Sequence, residues 1–292
     1  MSASDFHLIA LQLGGEEEML DGAVELLSAV EPGETAFLPE YLAWTPAGSG
    51  RAFARLVALS RERGINIVTT LNLGGELAED LPGHDPLERY NALVIFTRHG
   101  AVHVPQAKCS TQSFEMDRAL DGPGVGVTAY DRINRVVLDV DDELIEARFL
   151  ICSDLYALQK LGPRRLACDL MVVLGNFAYG AERAASRLLG LAVTRHVAST
   201  AVHVNAFHVP QGRRRALANK VEEVIDATRP GRAPAKWPNP RSVRAAFHVY
   251  DDEDASDFVE MCNLPRRGRI AVPRSRWEVS LSSGVYPVTV VL

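Results

Sequence analysis

The sequence lacks several features that would place it in a specialised class of protein. Its four cysteines are widely spaced, with no Cys-x-x-Cys pair and no cysteine–histidine cluster at zinc-binding spacing. This pattern argues against a disulfide framework and a metal site, and it favours a reducing compartment. The first residues contain neither a basic segment nor a long apolar one, and no apolar run elsewhere approaches the ~18 residues of a membrane span. We therefore expect a soluble cytoplasmic protein that does not associate with membranes.

Positive charge is also in deficit. The chain has 31 Lys and Arg residues against 37 Asp and Glu residues, a net charge of −6, so we expect no nucleic-acid partner. The basic stretch that begins at Arg213 is typical of solvated surface, with an anionic partner as the alternative. Since 47% of the 292 residues are hydrophobic, a sizeable core is feasible, and we expect one domain over residues 1–292.

Three short apolar strands end in residues with reactive side chains. The first ends just before Glu40, the second at Lys108 and the third at Cys152. A cysteine beside a cation and a base can be drawn toward thiolate at neutral pH, and a carboxylate can accept its proton. The pattern therefore predicts a thiol nucleophile. The alternative for Cys152 is ordinary core packing, because buried cysteine commonly behaves as a small apolar residue.

Glutamate, lysine and cysteine in this order resemble the catalytic set of the nitrilase, or carbon–nitrogen hydrolase, superfamily, in its amidase-like branch. Further segments resemble the first strand of that family, its Tyr-Asn strand, its cysteine elbow and the strand after the elbow. These segments are Ala10–Leu13, Arg89–Phe96, Phe149–Leu155 and Cys168–Val173. The resemblance extends from about residue 8 to about residue 208, and it rests on the ordered set, since each motif alone is weak evidence.

The resemblance implies an α/β fold in which two sheets form an α-β-β-α sandwich, and the alternating strands and amphipathic helices of the chain fit this layered plan. We expect helices at Glu16–Val30 and Arg51–Arg63, with a loop at Thr45–Gly50 between strand and helix. From about residue 210 the resemblance fades. We expect closing strands there at Val243–Tyr250, Gly268–Val272 and Val285–Leu292, the last of them docking on a neighbouring subunit. A homodimer or larger homo-oligomer is implied by the resemblance alone.

The resemblance also implies a reaction: hydrolysis of a non-peptide C–N bond, in a small amide or carbamoyl compound, through a cysteine thioester. Glu40 would be the general base, and Lys108 with the backbone N–H of Ser153 would stabilise the oxyanion. Asn176 and Phe177 follow a strand end, so we expect them in the pocket wall. The family often carries a second glutamate between the lysine and the cysteine, and Glu115 is the nearest match, with Asp117 competing. No cofactor or metal is implied, and Ser153-Asp154 favours amide over nitrile substrates.

Several alternatives stay open at the level of sequence. An acyltransferase would form the same thioester and pass the acyl group to an amine. A catalytically silent binding or scaffold protein on the same fold is suggested by the segment after the cysteine, where Leu155 begins a stretch without the family's Arg and Pro-Glu residues. A histidine, His203 or His208, is an alternative base, as in thiol proteases.

Overall fold

The computed structural model describes residues 3–11, 15–79, 81, 85, 87–110, 125–128, 132–140, 143–156, 163–176, 189, 192, 197–205, 247–251, 276–278 and 284–291. The strands in these ranges are β1 (Ala3–Ala10), β2 (Thr35–Phe37), β3 (Asn66–Gly74), β4 (Arg89–Phe96), β5 (Val102–Ala107), β6 (Val125–Gly126), β7 (Arg135–Val140), β8 (Glu143–Ile151), β9 (Cys168–Gly175), β10 (Ala198–Asn205), β11 (Phe247–Asp251), β12 (Arg276–Glu278) and β13 (Gly284–Val291). The α-helices are α1 (Glu16–Leu27), α2 (Pro46–Arg63) and α3 (Pro163–Leu166). Short 3₁₀ helices lie at Gly75–Ala78 and Cys152–Tyr156.

The strands form two mixed sheets. The first has the order β13-β1-β2-β3-β4-β5, with β6 beside β4, and the second has the order β12-β11-β10-β9-β8-β7. Strand β2 is parallel to β1 and β3, and β5 runs in the same direction because two antiparallel pairings separate it from β3. In the second sheet β8, β9 and β10 are parallel. The carboxyl ends of β2 and β5 therefore share one edge of the first sheet.

The two sheets pack face to face. Apolar side chains from both contribute to one buried cluster, in which Phe37 of β2 contacts Phe6 of β1 and Phe149 of β8 at ring-centroid distances of 5.2 and 5.9 Å. Such aromatic pairs contribute ~0.5–1.5 kcal/mol each beyond the burial of their area. The contact of Phe37 with Phe149 fixes the end of β2 against the end of β8, and the predicted two-sheet sandwich is confirmed.

Helices α1 and α2 cover the outer face of the first sheet. Helix α1 buries Met19, Leu20, Ala23 and Leu27, whose spacing of three to four residues gives one apolar face. A second buried cluster lies between these helices and the sheet. Helix α2 ends at Gly64, whose φ of 67° is the left-handed conformation that glycine adopts readily. None of the helices in the described ranges is long and apolar enough to cross a membrane.

Helix α2 begins earlier than the sequence predicted. The expected loop at Thr45–Gly50 is instead the first turn of the helix, which starts at Pro46. The Thr45 hydroxyl accepts a hydrogen bond from the Gly48 N–H at 3.0 Å, and proline is well suited to the first helical position. This prediction was wrong because the Gly and Pro content was given more weight than the capping signal.

The ends of the chain also differ from expectation. The first strand spans Ala3–Ala10, so it begins before the predicted Ala10–Leu13, of which residues 12 and 13 lie outside the described residues. The whole length of β1 pairs antiparallel with β13 of the same chain. The last strand thus pairs within the chain, and its expected docking on a neighbouring subunit stays a prediction. Strand β11 lies within the predicted Val243–Tyr250 region apart from its last residue, whereas β12 was not predicted and Gly268–Val272 lies outside the described residues.

Candidate active site

The three strand ends singled out in the sequence meet in the structure. Glu40, Lys108 and Cys152 are buried, with residue exposures of 1%, 0% and 6%. The Lys108 ammonium donates a hydrogen bond to Glu40 Oε1 at 2.7 Å, and the charge of Glu40 acts on the Cys152 thiol, whose pKa it raises. The first sheet supplies the carboxylate and the ammonium group, and the second sheet supplies the thiol.

Backbone contacts hold the two sheets together beside this cluster. The N–H of Glu40 donates to the carbonyl of Gly175, the last residue of β9, at 3.3 Å. The backbone N–H of the next residue, Asn176, lowers the pKa of the Cys152 thiol. The predicted pocket residue Asn176 therefore follows the backbone contact with Glu40 and acts on the cluster through its main chain.

Two residues of the cluster have an unusual backbone conformation. Cys152 has a φ of 48° and Tyr41 a φ of 57°, the positive region that side chains other than glycine disfavour. Cys152 comes directly after the last residue of β8, so this conformation turns the thiol out of the strand toward Glu40. The Tyr41 ring lies below the Lys108 ammonium, 5.9 Å from its centroid, and the Tyr41 N–H donates to Thr70 Oγ1 at 3.0 Å.

The ionisation of Cys152 differs from the sequence-based expectation of a thiolate. Burial and the negative charge of Glu40 raise the pKa of the Cys152 thiol well above its ordinary value, and they outweigh Lys108, which lowers it. The charge of Lys108 is directed mainly at Glu40, with which it forms a buried ion pair. The resting state that this geometry favours is a neutral thiol beside a carboxylate, and thiolate forms when the proton moves to Glu40.

A second polar cluster, formed by Asp154, Ser110 and Ser153, connects the segments that follow Lys108 and Cys152. Asp154 Oδ1 accepts hydrogen bonds from the Cys109 N–H and the Ser110 hydroxyl, both at 2.9 Å, and the Ser110 and Ser153 hydroxyl oxygens lie 2.7 Å apart. Asp154 is completely buried, and burial raises its pKa to about 7, against the opposing effects of Lys108 and the two hydrogen bonds. The Ser153 hydroxyl donates to the backbone carbonyl of Ser110, so the Ser153 side chain is part of this second polar cluster.

Asn91 is the residue that sequence reasoning left without a role. The side-chain amide of Asn91 donates to Glu40 Oε1 at 2.8 Å, and the backbone carbonyl of Asn91 accepts a hydrogen bond from the backbone N–H of Lys108 at 2.8 Å. The signal in the sequence was an asparagine at the start of the apolar run of β4, and the structure shows that its side chain is fully buried.

Other predicted residues are not at this cluster or cannot be placed. Glu115, Asp117, Phe177 and His208 lie outside the described residues. His203 lies on β10 opposite His248, and β9 separates it from the strand that leads to Cys152. Within the described ranges, no three His, Cys, Asp or Glu side chains are grouped so that they could hold a metal ion.

Comparison with solved structures identifies the fold. A CN-hydrolase superfamily protein from Xanthomonas campestris, with an arsenic adduct in its active site, matches with a TM-score of 0.52 and 15% sequence identity, over 72% of this chain and 77% of that one. A mutant of the Nesterenkonia AN1 amidase, from the nitrilase superfamily, matches with a TM-score of 0.52 and 16% identity, over 71% and 78% of the two chains. Another mutant of this amidase, showing Michael addition of acrylamide at the active site cysteine, matches with a TM-score of 0.51 and 16% identity, over 70% and 78%.

The chain therefore has the α/β fold of the nitrilase, or carbon–nitrogen hydrolase, superfamily, as the motifs predicted. No family model matches the sequence, and no curated protein matches it.

Proposed function

We propose that this protein hydrolyses a C–N bond of a small amide through a thioester on Cys152. The observation that carries the proposal is the buried ion pair of Glu40 and Lys108, 2.7 Å apart, beside Cys152, whose thiol pKa is raised in part by the charge of Glu40. A nucleophile beside a base that is itself held in place is the general arrangement of covalent catalysis. The fold is shared with proteins described as amidases, one of them with acrylamide added to its active site cysteine.

In the first half-reaction, the Cys152 sulfur attacks the amide carbonyl carbon while its proton passes to Glu40. Lys108, with the backbone N–H of Ser153, stabilises the negative charge on the carbonyl oxygen, and one such donor is worth about 3–4 kcal/mol in other enzymes. Glu40 then gives its proton to the departing nitrogen, the C–N bond breaks, and ammonia or an amine leaves the thioester behind.

In the second half-reaction, water attacks the thioester carbon and Glu40 accepts a proton from it. The carbon–sulfur bond breaks, the acid is released, and the sulfur regains a proton. The raised pKa of the Cys152 thiol fits this scheme, because the carboxylate carries the proton in both halves of the cycle. Glu115, Phe177 and the side chain of Asn176 remain predictions for the pocket.

The test is a screen of small aliphatic amides and carbamoyl compounds for ammonia release, with Cys152→Ala and Glu40→Gln as matched controls. We expect turnover in the wild type alone, together with a mass increase on the Cys152 peptide when the reaction is quenched. An adduct that forms but yields product only when an amine is added would identify an acyltransferase. Absence of any adduct on a folded wild-type protein, across the screen, would contradict the proposal and favour a binding role.

A further inference from the structure

Asn91 is bonded to both charged members of the cluster. Its backbone carbonyl accepts the Lys108 N–H at 2.8 Å, and its side-chain amide donates to Glu40 Oε1, also at 2.8 Å. Asn91 lies on β4, next to the strand that leads to Lys108, and its side chain has no exposed surface. One residue therefore holds the lysine through its main chain and the glutamate through its side chain.

The two donors to Glu40 converge on the same oxygen. Lys108 Nζ and Asn91 Nδ2 lie 2.7 and 2.8 Å from Oε1. A carboxylate oxygen has two lone pairs in its plane, and these two hydrogen bonds occupy both of them. The orientation of the Asn91 amide is set by the same contact, because the reverse orientation would bring two acceptors together. The carboxylate can no longer rotate without losing both hydrogen bonds.

We infer that Asn91 is a positioning residue, which fixes the Glu40 carboxylate so that Oε2 is the oxygen that takes the Cys152 proton. This inference rests on the proposed function, in which Glu40 is the base. Lys108 and Asn91 both donate to Oε1, and occupation of Oε1 by these two donors directs the transfer to the other oxygen. Asn91 also favours the ionised form of Glu40, since hydrogen bonds to a carboxylate stabilise its charge.

The experiment measures the rate of Cys152 alkylation by iodoacetamide as a function of pH, by mass spectrometry of the Cys152 peptide from the full chain. Sulfur displaces iodide and its proton passes to Glu40, so the rate falls as Glu40 becomes protonated at low pH. We compare the wild type with Glu40→Gln, Asn91→Ser and the isosteric Asn91→Asp.

Both Asn91 variants should move the acid limb of the pH–rate profile upward. Loss of a hydrogen bond to a charged group corresponds to a shift of about one to two pH units, which makes alkylation about ten- to hundredfold slower at a pH on the limb itself. The matched control is Asn72→Ser. Asn72 faces Asn91 across the β3–β4 ladder and is equally buried, but its amide donates to the Trp44 carbonyl. Its loss should lower stability and leave the limb where it is.

The outcomes separate the inference from the function on which it rests. If the alkylation rate falls at low pH in Glu40→Gln as it does in the wild type, Glu40 is not the base, and the proposed function is contradicted. A limb that depends on Glu40 but stays in place in a folded Asn91 variant overturns the inference alone. A measurement on the wild type covers the case in which neither variant folds: the side-chain amide protons of Asn91, followed by NMR, should titrate at the midpoint of the limb. A resonance that does not change with pH across the limb would overturn the inference.

Discussion

Asp154 accepts a hydrogen bond from the backbone N–H of Cys109 at 2.9 Å, and this contact joins the two halves of the candidate site. Cys109 follows Lys108 at the end of β5, in the first sheet, and Asp154 follows Cys152 by two residues, in the second. The bond therefore couples the position of the ammonium group to that of the thiol. It depends on a carboxyl group whose pKa is raised to about 7 by burial, so its ionisation changes within the neutral range.

Asp154 should make stability depend on pH. Its pKa is about 7 in the folded chain and about 4 in the unfolded chain, so the folded state binds the proton more tightly. Between these values the free energy of unfolding falls as the pH rises, and above about pH 7 the dependence ends. The total decrease in the free energy of unfolding over this range is on the order of 4 kcal/mol. The free energies of unfolding of the wild type and Asp154→Asn, measured in urea and plotted against pH, should approach each other or cross between about pH 4 and about pH 7. Asp139→Asn, at an exposed position, is the control, and parallel curves for wild type and Asp154→Asn would show the prediction to be wrong.

Removal of the Lys108 charge should destabilise the fold strongly. Lys108→Met leaves Glu40 buried without the ammonium group, a change that costs ~3–5 kcal/mol when one partner of a buried pair is lost. The matched control is Arg135→Met, because Arg135 pairs with Glu146 at 2.9 Å while their side chains are 56% and 43% exposed. Exposed pairs contribute ~0–1 kcal/mol. Equal losses for the two variants in urea unfolding would contradict this account of the buried pair.

Cys152 should be a neutral thiol at neutral pH. Burial and Glu40 raise its pKa, with Lys108 opposing them, so no thiolate absorbance should appear below about pH 8.5, the ordinary range for cysteine. The measurement is the ultraviolet difference between wild type and Cys152→Ser across the pH range. Cys168 gives an internal comparison, since burial raises its pKa to about 12 against the opposing effect of Arg148. A thiolate signal near pH 6 that is lost in Cys152→Ser would contradict this prediction and support the thiolate that the sequence predicted.

The hydroxyl of Thr45 should stabilise helix α2. It accepts from the Gly48 N–H at 3.0 Å and donates to the Glu16 carboxylate at 2.5 Å, which also connects the starts of the two helices. Thr45→Ala should cost ~1–2 kcal/mol in the free energy of unfolding, as measured for other caps, and Thr45→Ser should recover most of it. If Thr45→Ser is as unstable as Thr45→Ala, the hydroxyl is not the source of the effect.

The sequence identified Glu40, Lys108 and Cys152 because each follows an apolar strand, and strand ends on one edge of a sandwich are brought together by the fold. The order of the other motifs along the chain indicated the fold. Local patterns also located helix α1 and most strands, since burial on one face imposes a period that can be read directly.

What the sequence did not reveal depends on distant neighbours. Asn91 and Glu40 are 51 residues apart, and Cys109 and Asp154 are 45 apart. No local period signals these pairs. The ionisation of Cys152 depends on the same kind of information: its charged neighbours can be named from the sequence, but the depth of burial, which raises the thiol pKa and outweighs Lys108, is a property of the packed core. The pairing of β13 with β1 is likewise non-local.

That terminal pairing also bears on how the molecule assembles. Ala3 lies opposite Val291, so β1 gains its second neighbour from a segment almost a whole chain length away. Contacts of such long range form slowly, because a large loop must close before they contribute. Until β13 arrives, β1 presents a row of unsatisfied N–H and C=O groups at an open edge, the kind of edge that recruits strands from other molecules. The first sheet is therefore vulnerable to intermolecular association during folding until its last strand is in place.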